Sequence, residues 1–397
     1  MRLPTALAAI LLAAATAAPA RAQILRGLDT TGMVDQISVG GCAPGNVCPV
    51  PGGVITAHSF PLGGSDWDNC NHTLWVTDGN NIVNVDKNCN VLCVLPGLPG
   101  QFWTGLAVDC IGRRLYAMEL GGQISEYQIG TGCLTFLSRC NFPINPIPAR
   151  MTGLAYDGFN NHIWVVDENG RAYSITYSAN NCTLVCTFQA QCNPPLALVS
   201  GLAFDSCSQL LYMYEQIPGT IIARVITNQI TGNCGQTLNC CNLGPISPGP
   251  LSGLAFVPTK ATPAPTLGCS GINCPGCSPQ IGAQGTPVIG SSSCFQITLS
   301  GAPCPSSAFL FLSFGPCTPF NFGLCGPVYI NLGAVILQVG VVIPPCTPNC
   351  GGAASIPISI PSNPLFCGIP LCAQWAMICA GGGIALSSGL SFTLVGP

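Results

Sequence analysis

Short apolar runs separated by Gly, Asn, Asp and Ser recur along residues 24–257, and the runs themselves repeat. Thr104-Gly-Leu-Ala-Val-Asp109 returns as Thr152-Gly-Leu-Ala-Tyr-Asp157, Ser200-Gly-Leu-Ala-Phe-Asp205 and Ser252-Gly-Leu-Ala-Phe-Val257, in steps of 48, 48 and 52 residues. Six residues after the Asp comes an aliphatic–aromatic pair: Leu115-Tyr116, Ile163-Trp164 and Leu211-Tyr212. Leu74-Trp75 follows Asp68 in the same way, which makes Gly64-Ser-Asp-Trp-Asp68 a degenerate copy. Three residues past each aromatic stands an acid: Asp78, Glu119, Asp167 and Glu215. Then come a turn, an alternating segment such as Gly122-Gln-Ile-Ser-Glu-Tyr-Gln-Ile129, and a Cys-bearing run. Each unit predicts four short strands, a to d. Four strands in about 48 residues match one blade of a β-propeller better than a solenoid coil.

The ends of the repeat region complement each other. The last strand a, Ser252–Val257, has no b, c or d after it. Leu25–Ile37 aligns without gaps on Ile163–Ile175, placing Asp29 on Asp167, and Gly53–Phe60 is left to serve as strand d. The expectation is an all-β chain: a five-bladed β-propeller over residues 23–257, its N-terminal strands closing the last blade. Closure pairs strand edges that would otherwise invite aggregation. Trp75, Tyr116, Trp164 and Tyr212 recur at one strand position and are expected in the core between blades.

A Pro/Thr/Ala stretch over residues 258–268 reads as a linker. Beyond it, residues 269–397 carry strand-like runs at Cys294–Leu299, Ala308–Ser313, Gly333–Val339, Ala354–Ile360, Cys372–Met377 and Leu390–Leu394. Their spacing predicts a Cys-rich β-sandwich.

Charge sharpens the division. The 397 residues hold 11 basic and 14 acidic side chains, too few for a nucleic-acid binder. After Lys260 there is no Asp, Glu, Lys, Arg or His in 137 residues. Such a surface is poorly protected from association by charge and is expected to pack against something. Acid–base chemistry belongs to the N-terminal part. Residues 1–22 read as a signal peptide, with Arg2, the apolar stretch Ala6–Ala18 and an Ala20-Arg-Ala22 cleavage site. Beyond them no run is long enough to span a bilayer; the longest, Ala334–Ile343, is strand-length.

All 27 cysteines follow the signal, so disulfides are expected, with at least one thiol left over. Pairs flank each c–d hairpin: Cys42/Cys48, Cys89/Cys93, Cys133/Cys140, Cys182/Cys186 and Cys234/Cys240. One staple per blade is the expected pattern, with Cys192 or Cys241 as alternative partners. Cys269-x4-Cys274-x2-Cys277 superficially matches an iron–sulfur spacing, against an oxidising context.

The Gly-Leu-Ala-x-Asp and Leu-Trp/Tyr-Val-x-Asp pattern over residues 24–257 resembles the NHL/YVTN-like repeats of bacterial secreted β-propellers. The C-terminal stretch, with Gly285–Gly290, Phe295–Pro303 and Ser355–Pro361, is similar to a β-sandwich module attached to large secreted proteins of planctomycete-type bacteria. The resemblance implies extracellular or envelope placement and no particular activity, since propellers host binders, lactonases and glycosidases alike.

Two sets of acids are candidates. Asp29, Asp78, Glu119, Asp167 and Glu215 would share one face near the b–c turns, forming a ligand-binding rim for a sugar or for calcium. The structural alternative is that each caps its turn before Gly. Asp68, Asp109, Asp157 and Asp205 end strand a on the opposite face and read as turn caps. Asp66 and Asp68, beside Asn69, are metal candidates for calcium. No His-x-His, His-Glu-x-x-His or Gly-x-Ser-x-Gly signature appears, and no catalytic residue is assigned. The expected function is a secreted cell-surface binding or structural protein. A glycan or envelope protein would be its partner, and the C-terminal domain would mediate attachment or assembly. The rival is an extracellular hydrolase of lactonase or glycosidase type using propeller carboxylates.

Overall fold

The computed structural model describes residues 24–397 apart from 30, 39–42, 52–53, 56–62, 145–146, 148, 194, 217–221, 232–233, 246–250, 259–260, 265–267 and 292–294. The signal-peptide reading of residues 1–22 lies outside the described residues, as does Cys42. Two compact units divide at Thr259 and Lys260, with residues 396–397 grouped with the first.

The first unit consists of five four-stranded antiparallel sheets. Chain order begins with β1 (Ile24–Leu28), β2 (Met33–Ser38) and β3 (Ala43–Pro49). The second sheet is β4 (Gly64–Asp68), β5 (Thr73–Thr77), β6 (Asn81–Val85) and β7 (Val91–Pro96). The third is β8 (Trp103–Asp109), β9 (Arg114–Glu119), β10 (Gln123–Ile129) and β11 (Leu134–Asn141). The fourth is β12 (Met151–Asp157), β13 (His162–Asp167), β14 (Arg171–Ser178) and β15 (Asn181–Gln189). The fifth is β16 (Val199–Asp205), β17 (Leu210–Gln216), β18 (Ile222–Thr231) and β19 (Cys234–Pro245). The last strand of the unit, β20 (Ala255–Val257), returns to the start of the chain. It pairs with β1 in the register Ile24↔Val257, Leu25↔Phe256 and Arg26↔Ala255. The first sheet therefore has the order β20-β1-β2-β3, joining both ends of the unit. Its outer strand is Ala43–Pro49, because β3 pairs β2 in a register that starts at Ser38↔Ala43; of the expected strand Gly53–Phe60, residues 53 and 56–60 lie outside the described residues.

Burial falls from the inner strands outward. Every residue of β5 is buried, whereas β7 alternates between half-buried and exposed. Inner strands are covered on both faces by neighbouring sheets, so apolar runs there need not alternate. The cores lie between sheets. Trp164 of β13 packs with Leu202 of β16 and Met213 of β17. Tyr116 of β9 packs with Leu154 of β12 and Ile163 of β13. Leu28 and Val34 pack with Trp67, Leu74 and Val76, while Leu25 and Ile37 pack with Tyr212 and Leu254. The arrangement is propeller-like.

The disulfides correct the one-staple-per-hairpin expectation. Cys48 bonds Cys89, Cys93 bonds Cys133, Cys140 bonds Cys182 and Cys186 bonds Cys234. Cys192 bonds Cys240. Each bond joins the outer part of one sheet to the outer hairpin of the next. The reason is reach. Cys182 and Cys186 lie four residues apart on β15, about 13 Å at ~3.3 Å per residue, while a disulfide needs Cα atoms about 4.4–6.8 Å apart. The observed Cα separations are 5.4–6.1 Å.

The second unit contains β21 (Thr262–Pro263), β22 (Cys269–Ser270), β23 (Gln280–Gly285), β24 (Phe295–Ala302) and β25 (Ser306–Phe314). They are followed by β26 (Val335–Ile343), β27 (Gly352–Pro357), β28 (Pro370–Cys379), β29 (Ile384–Leu386) and β30 (Leu390–Thr393). The stretch read as a linker thus includes a short strand, β21, paired with β30. One sheet runs β21-β30-β28-β25-β26 with β22 and β29 attached; the other is β23-β24-β27. They share a core: Phe295 packs on Phe392 at 4.8 Å between rings, and the Trp375 indole donates to the Thr298 carbonyl at 3.3 Å. Five further disulfides are described within this unit: Cys269–Cys325, Cys274–Cys379, Cys277–Cys350, Cys304–Cys346 and Cys317–Cys372. All three cysteines of the iron–sulfur-like spacing are consumed by these bonds.

Candidate functional site

The acids after strand b are engaged where they stand. Asp29 is fully buried; its carboxylate accepts from the Thr31 and Met33 backbone N–H groups, both at 2.8 Å, and from the Thr31 hydroxyl. Asp78 accepts from the N–H groups of Asn80 (2.9 Å) and Asn81 (2.7 Å). Asp167 accepts from the N–H groups of Asn169 and Arg171 and from the Tyr173 hydroxyl, each at 3.0 Å. These are side-chain-capped turns, closed by glycines such as Gly32 (φ 90°) and Gly170 (φ 79°) that take the left-handed backbone.

The two glutamates, one methylene longer, reach past the turn. Glu119 accepts from Gln101 Nε2 and Ser125 Oγ, both at 2.9 Å, and pairs with Arg139 at 2.8 Å. Glu215 accepts from the Ala197 N–H at 2.7 Å and pairs with Arg224 of β18. That ion pair is almost wholly buried, with side-chain exposures of 1% and 2%. The Arg224 guanidinium also donates to the Pro195 carbonyl. Sequence reading missed Arg224, because nothing local marks an arginine as buried; only its register opposite Glu215 does.

The acids ending strand a cap the a–b turns. Asp68 accepts from the N–H groups of Cys70 and Asn71 and from the Asn71 side chain. Asp109 accepts from Gly112, Asp157 from Phe159 and Asn160, and Asp205 from Cys207 and Ser208. Asp66 does something different. One oxygen accepts from the Trp67 N–H at 2.8 Å and the other from the Val108 N–H of the next sheet at 2.7 Å. Burial pushes its carboxyl up to about 7, with Asp68 adding to the rise against these hydrogen bonds. Asp35 of β2 is likewise pushed up to about 7 by burial and by Asp29.

Asp66 and Asp68 therefore point to different partners. Close to Asp68 lie the sulfurs of Cys70 and Cys110, all within 4.8 Å of one another. Cys70 is in a disulfide, and Cys110 is the free thiol among the described residues. Burial, then Asp68 and Asp109, push the Cys110 thiol well above its usual range, so it stays protonated. One carboxylate with two sulfurs does not fit calcium, which takes six to eight oxygens.

The axis of the first unit is closed by backbone. Gly64, Gly105, Gly153, Gly201 and Gly253, the glycines of the repeated motif and its degenerate copy, form a ring. A Cβ on Gly64 would lie 2.6 Å from Gly105 Cα, one on Gly105 2.7 Å from Leu154 N, and one on Gly153 2.9 Å from Leu202 Cβ. A Cβ on Gly201 would lie 2.9 Å from the Gly253 carbonyl carbon, and Gly253 abuts Gly64 and Ser65. The gap they leave has no room for a water molecule. The preceding hydroxyls turn into the backbone as well: Ser200 to the Leu251 carbonyl at 2.7 Å and Ser252 to that of Leu28 at 3.2 Å.

No known family profile matches the chain, and no curated protein does. Solved structures match in part. A chain of the nidogen/laminin complex is 12% identical at a TM-score of 0.38, covering 59% of this chain and 97% of its own. A protein of unknown function from Bacteroides caccae is 10% identical at 0.40, covering 60% and 100%. A glutaminyl cyclase from Myxococcus xanthus is 14% identical at 0.31, covering 49% and 73%. At such scores the likeness carries no argument, and the propeller-like description rests on the strand pairings above.

Proposed function

We propose that this is an extracellular binding or structural protein of the cell surface. Its first unit is a five-bladed propeller closed by β20 on β1, and its second is a β-sandwich that mediates attachment or assembly. The observation that carries this reading is the filled axis. A glycine ring fills the centre of the first unit and leaves no room for water there, and each rim acid is engaged by hydrogen bonds within its own repeat. A lactonase or glycosidase needs two acids flanking a substrate-sized recess, with one of them tuned for proton transfer. The rim acids do not supply that geometry.

The ten described disulfides match an oxidising compartment. Among the described residues no helix is long and apolar enough to cross a membrane. Recognition falls to the periphery. Leu92, Phe136 and Leu238 on the outer strands are each more than half exposed, contact area that suits an envelope protein better than a glycan. The test is co-sedimentation of the purified protein with isolated cell envelopes, run beside chromogenic lactone and glycoside assays. Retention on envelopes without turnover supports the reading. Turnover that is lost in folded Asp167→Asn or Glu119→Gln overturns it in favour of the hydrolase.

A further inference from the structure

The seven-stranded sheet of the second unit ends on β26, which pairs with β25 on one side and, among the described residues, with no strand on the other. An unpaired edge is a template for another extended chain, and native edges are usually blunted by Lys, Pro or short length. β26 is nine residues long and reads Val335-Ile-Leu-Gln-Val-Gly-Val-Val-Ile343, with no charge and no proline; its one irregularity is a bulge at Ile336, and Leu337–Ile343 pairs regularly with β25. The opposite edge of the sheet, β21, is two residues long and contains Pro263.

The side chains agree with the backbone. Leu337, Val339 and Val341 stand opposite Leu312, Leu310 and Ala308 of β25 and so share their core-facing side. The β25 residues are buried, at 3% exposure or less, whereas their β26 partners are only half-buried. Core-facing residues left half-covered are what a missing neighbour strand produces. Ile336 and Val342 are 45% and 76% exposed. An apolar cleft of about 280 Å³ is lined by Ile336 and Leu337 of the strand together with Ile358, Ile360 and Phe392.

The occupant must offer extended backbone and apolar side chains. We propose that it is a second copy of this chain, adding its own β26 antiparallel across a two-fold axis at Val339. In that register Val339 faces its counterpart and Leu337 faces Val341, within the part of β26 that pairs regularly with β25; Ile336 sits at the bulge that ends this part. Core-facing residues meet core-facing residues, and the mate's Val341 comes over the mouth of the cleft. With no charged residue after Lys260, the two copies meet without a like-charge contact. The isologous pairing closes at two copies and leaves no free β26 edge. Within the second unit the edges of the other sheet are less apt: β23 and β27 are six residues each, and they are more polar or contain glycine and proline.

This inference rests on the reading of the second unit as an assembly module. The test is sedimentation velocity on the purified protein over a concentration series. A dimer is expected, with amide hydrogen exchange in residues 335–343 slowing as concentration rises. Val339→Lys and Val339→Glu each set like charges face to face and should weaken dimerisation at least about tenfold. An equimolar mixture of the two should restore it, because Lys then faces Glu. A wild-type monomer at high micromolar concentration overturns the proposal, as does a monomer whose cleft takes up an aliphatic dye. Variants that dimerise like wild type also overturn it. Should the Val339 variants fail to fold, concentration-dependent exchange in the wild type decides alone. A monomer still retained on cell envelopes would sink the dimer and leave the attachment reading standing; a dimer that is not retained would do the reverse.

Discussion

At the residue scale, the same acid position does two jobs according to side-chain length. Asp29, Asp78 and Asp167 close their own turns, while Glu119 and Glu215 recruit arginines from other strands of the same sheet, Arg139 from β11 across β10 and Arg224 from the adjacent β18. The buried Glu215–Arg224 pair should be intolerant of losing one partner. Arg224→Met leaves a buried carboxylate uncompensated and should cost about 3–5 kcal/mol in urea unfolding, whereas Glu215→Leu with Arg224→Met should recover much of that loss. Asp35 and Asp66 give a pH dependence. Both are held up to about 7 in the folded chain against 3.8 unfolded, so the folded state binds their protons more tightly. Their contribution to stability is full below about pH 4 and is lost as pH rises to about 7. Exposed Asp86, held low by its Asn90 hydrogen bonds, opposes this weakly. Scanning calorimetry should find the melting temperature at pH 5 above that at pH 8 by about 3 °C or more, and Asp66→Asn should shrink the difference.

At the element scale, strand a owes its motif to close approach. Each Gly of Gly-Leu-Ala meets the backbone of the next sheet, so a methyl group there displaces main chain. Gly153→Ala, whose Cβ would lie 2.9–3.0 Å from Leu202, should lower stability by roughly 2 kcal/mol or more; Gly132→Ala, with open space around it, should be near neutral. Comparative thermal melts check both. The four-strand unit, the buried aromatics and the turn glycines were legible in the repeat, because each is set by local periodicity. The outer strand of the first sheet was not. Proline and glycine in Ala43-Pro-Gly-Asn-Val-Cys-Pro49 disguise a strand that its pairing with β2 holds in place.

At the scale of the whole molecule, the sheets of the first unit are joined in two ways. The ends of the unit zip through β1 and β20, and the four successive outer gaps from the first sheet to the fifth are bridged by disulfides. Those bonds close loops of 40–48 residues, so each is worth about 4 kcal/mol by chain entropy, more than a hairpin-local staple. Non-reducing peptide mapping should recover Cys93 joined to Cys133 and Cys140 joined to Cys182. Recovery of Cys89–Cys93 or Cys133–Cys140 would refute the arrangement. Paired removal of Cys93 and Cys133 should lower the denaturation midpoint measurably while leaving the sheets formed.

Periodicity and composition alone determined the four-strand repeat, the closing of the repeat by its own ends, and the confinement of charge to the first 260 residues, since each follows from spacing along the chain. The partners of the cysteines, the pairing of Glu215 with Arg224, the closed axis and the bare edge at β26 were decided only by tertiary structure. They depend on which residues of distant repeats come to lie side by side. No pattern within one repeat records the contacts it makes with the next.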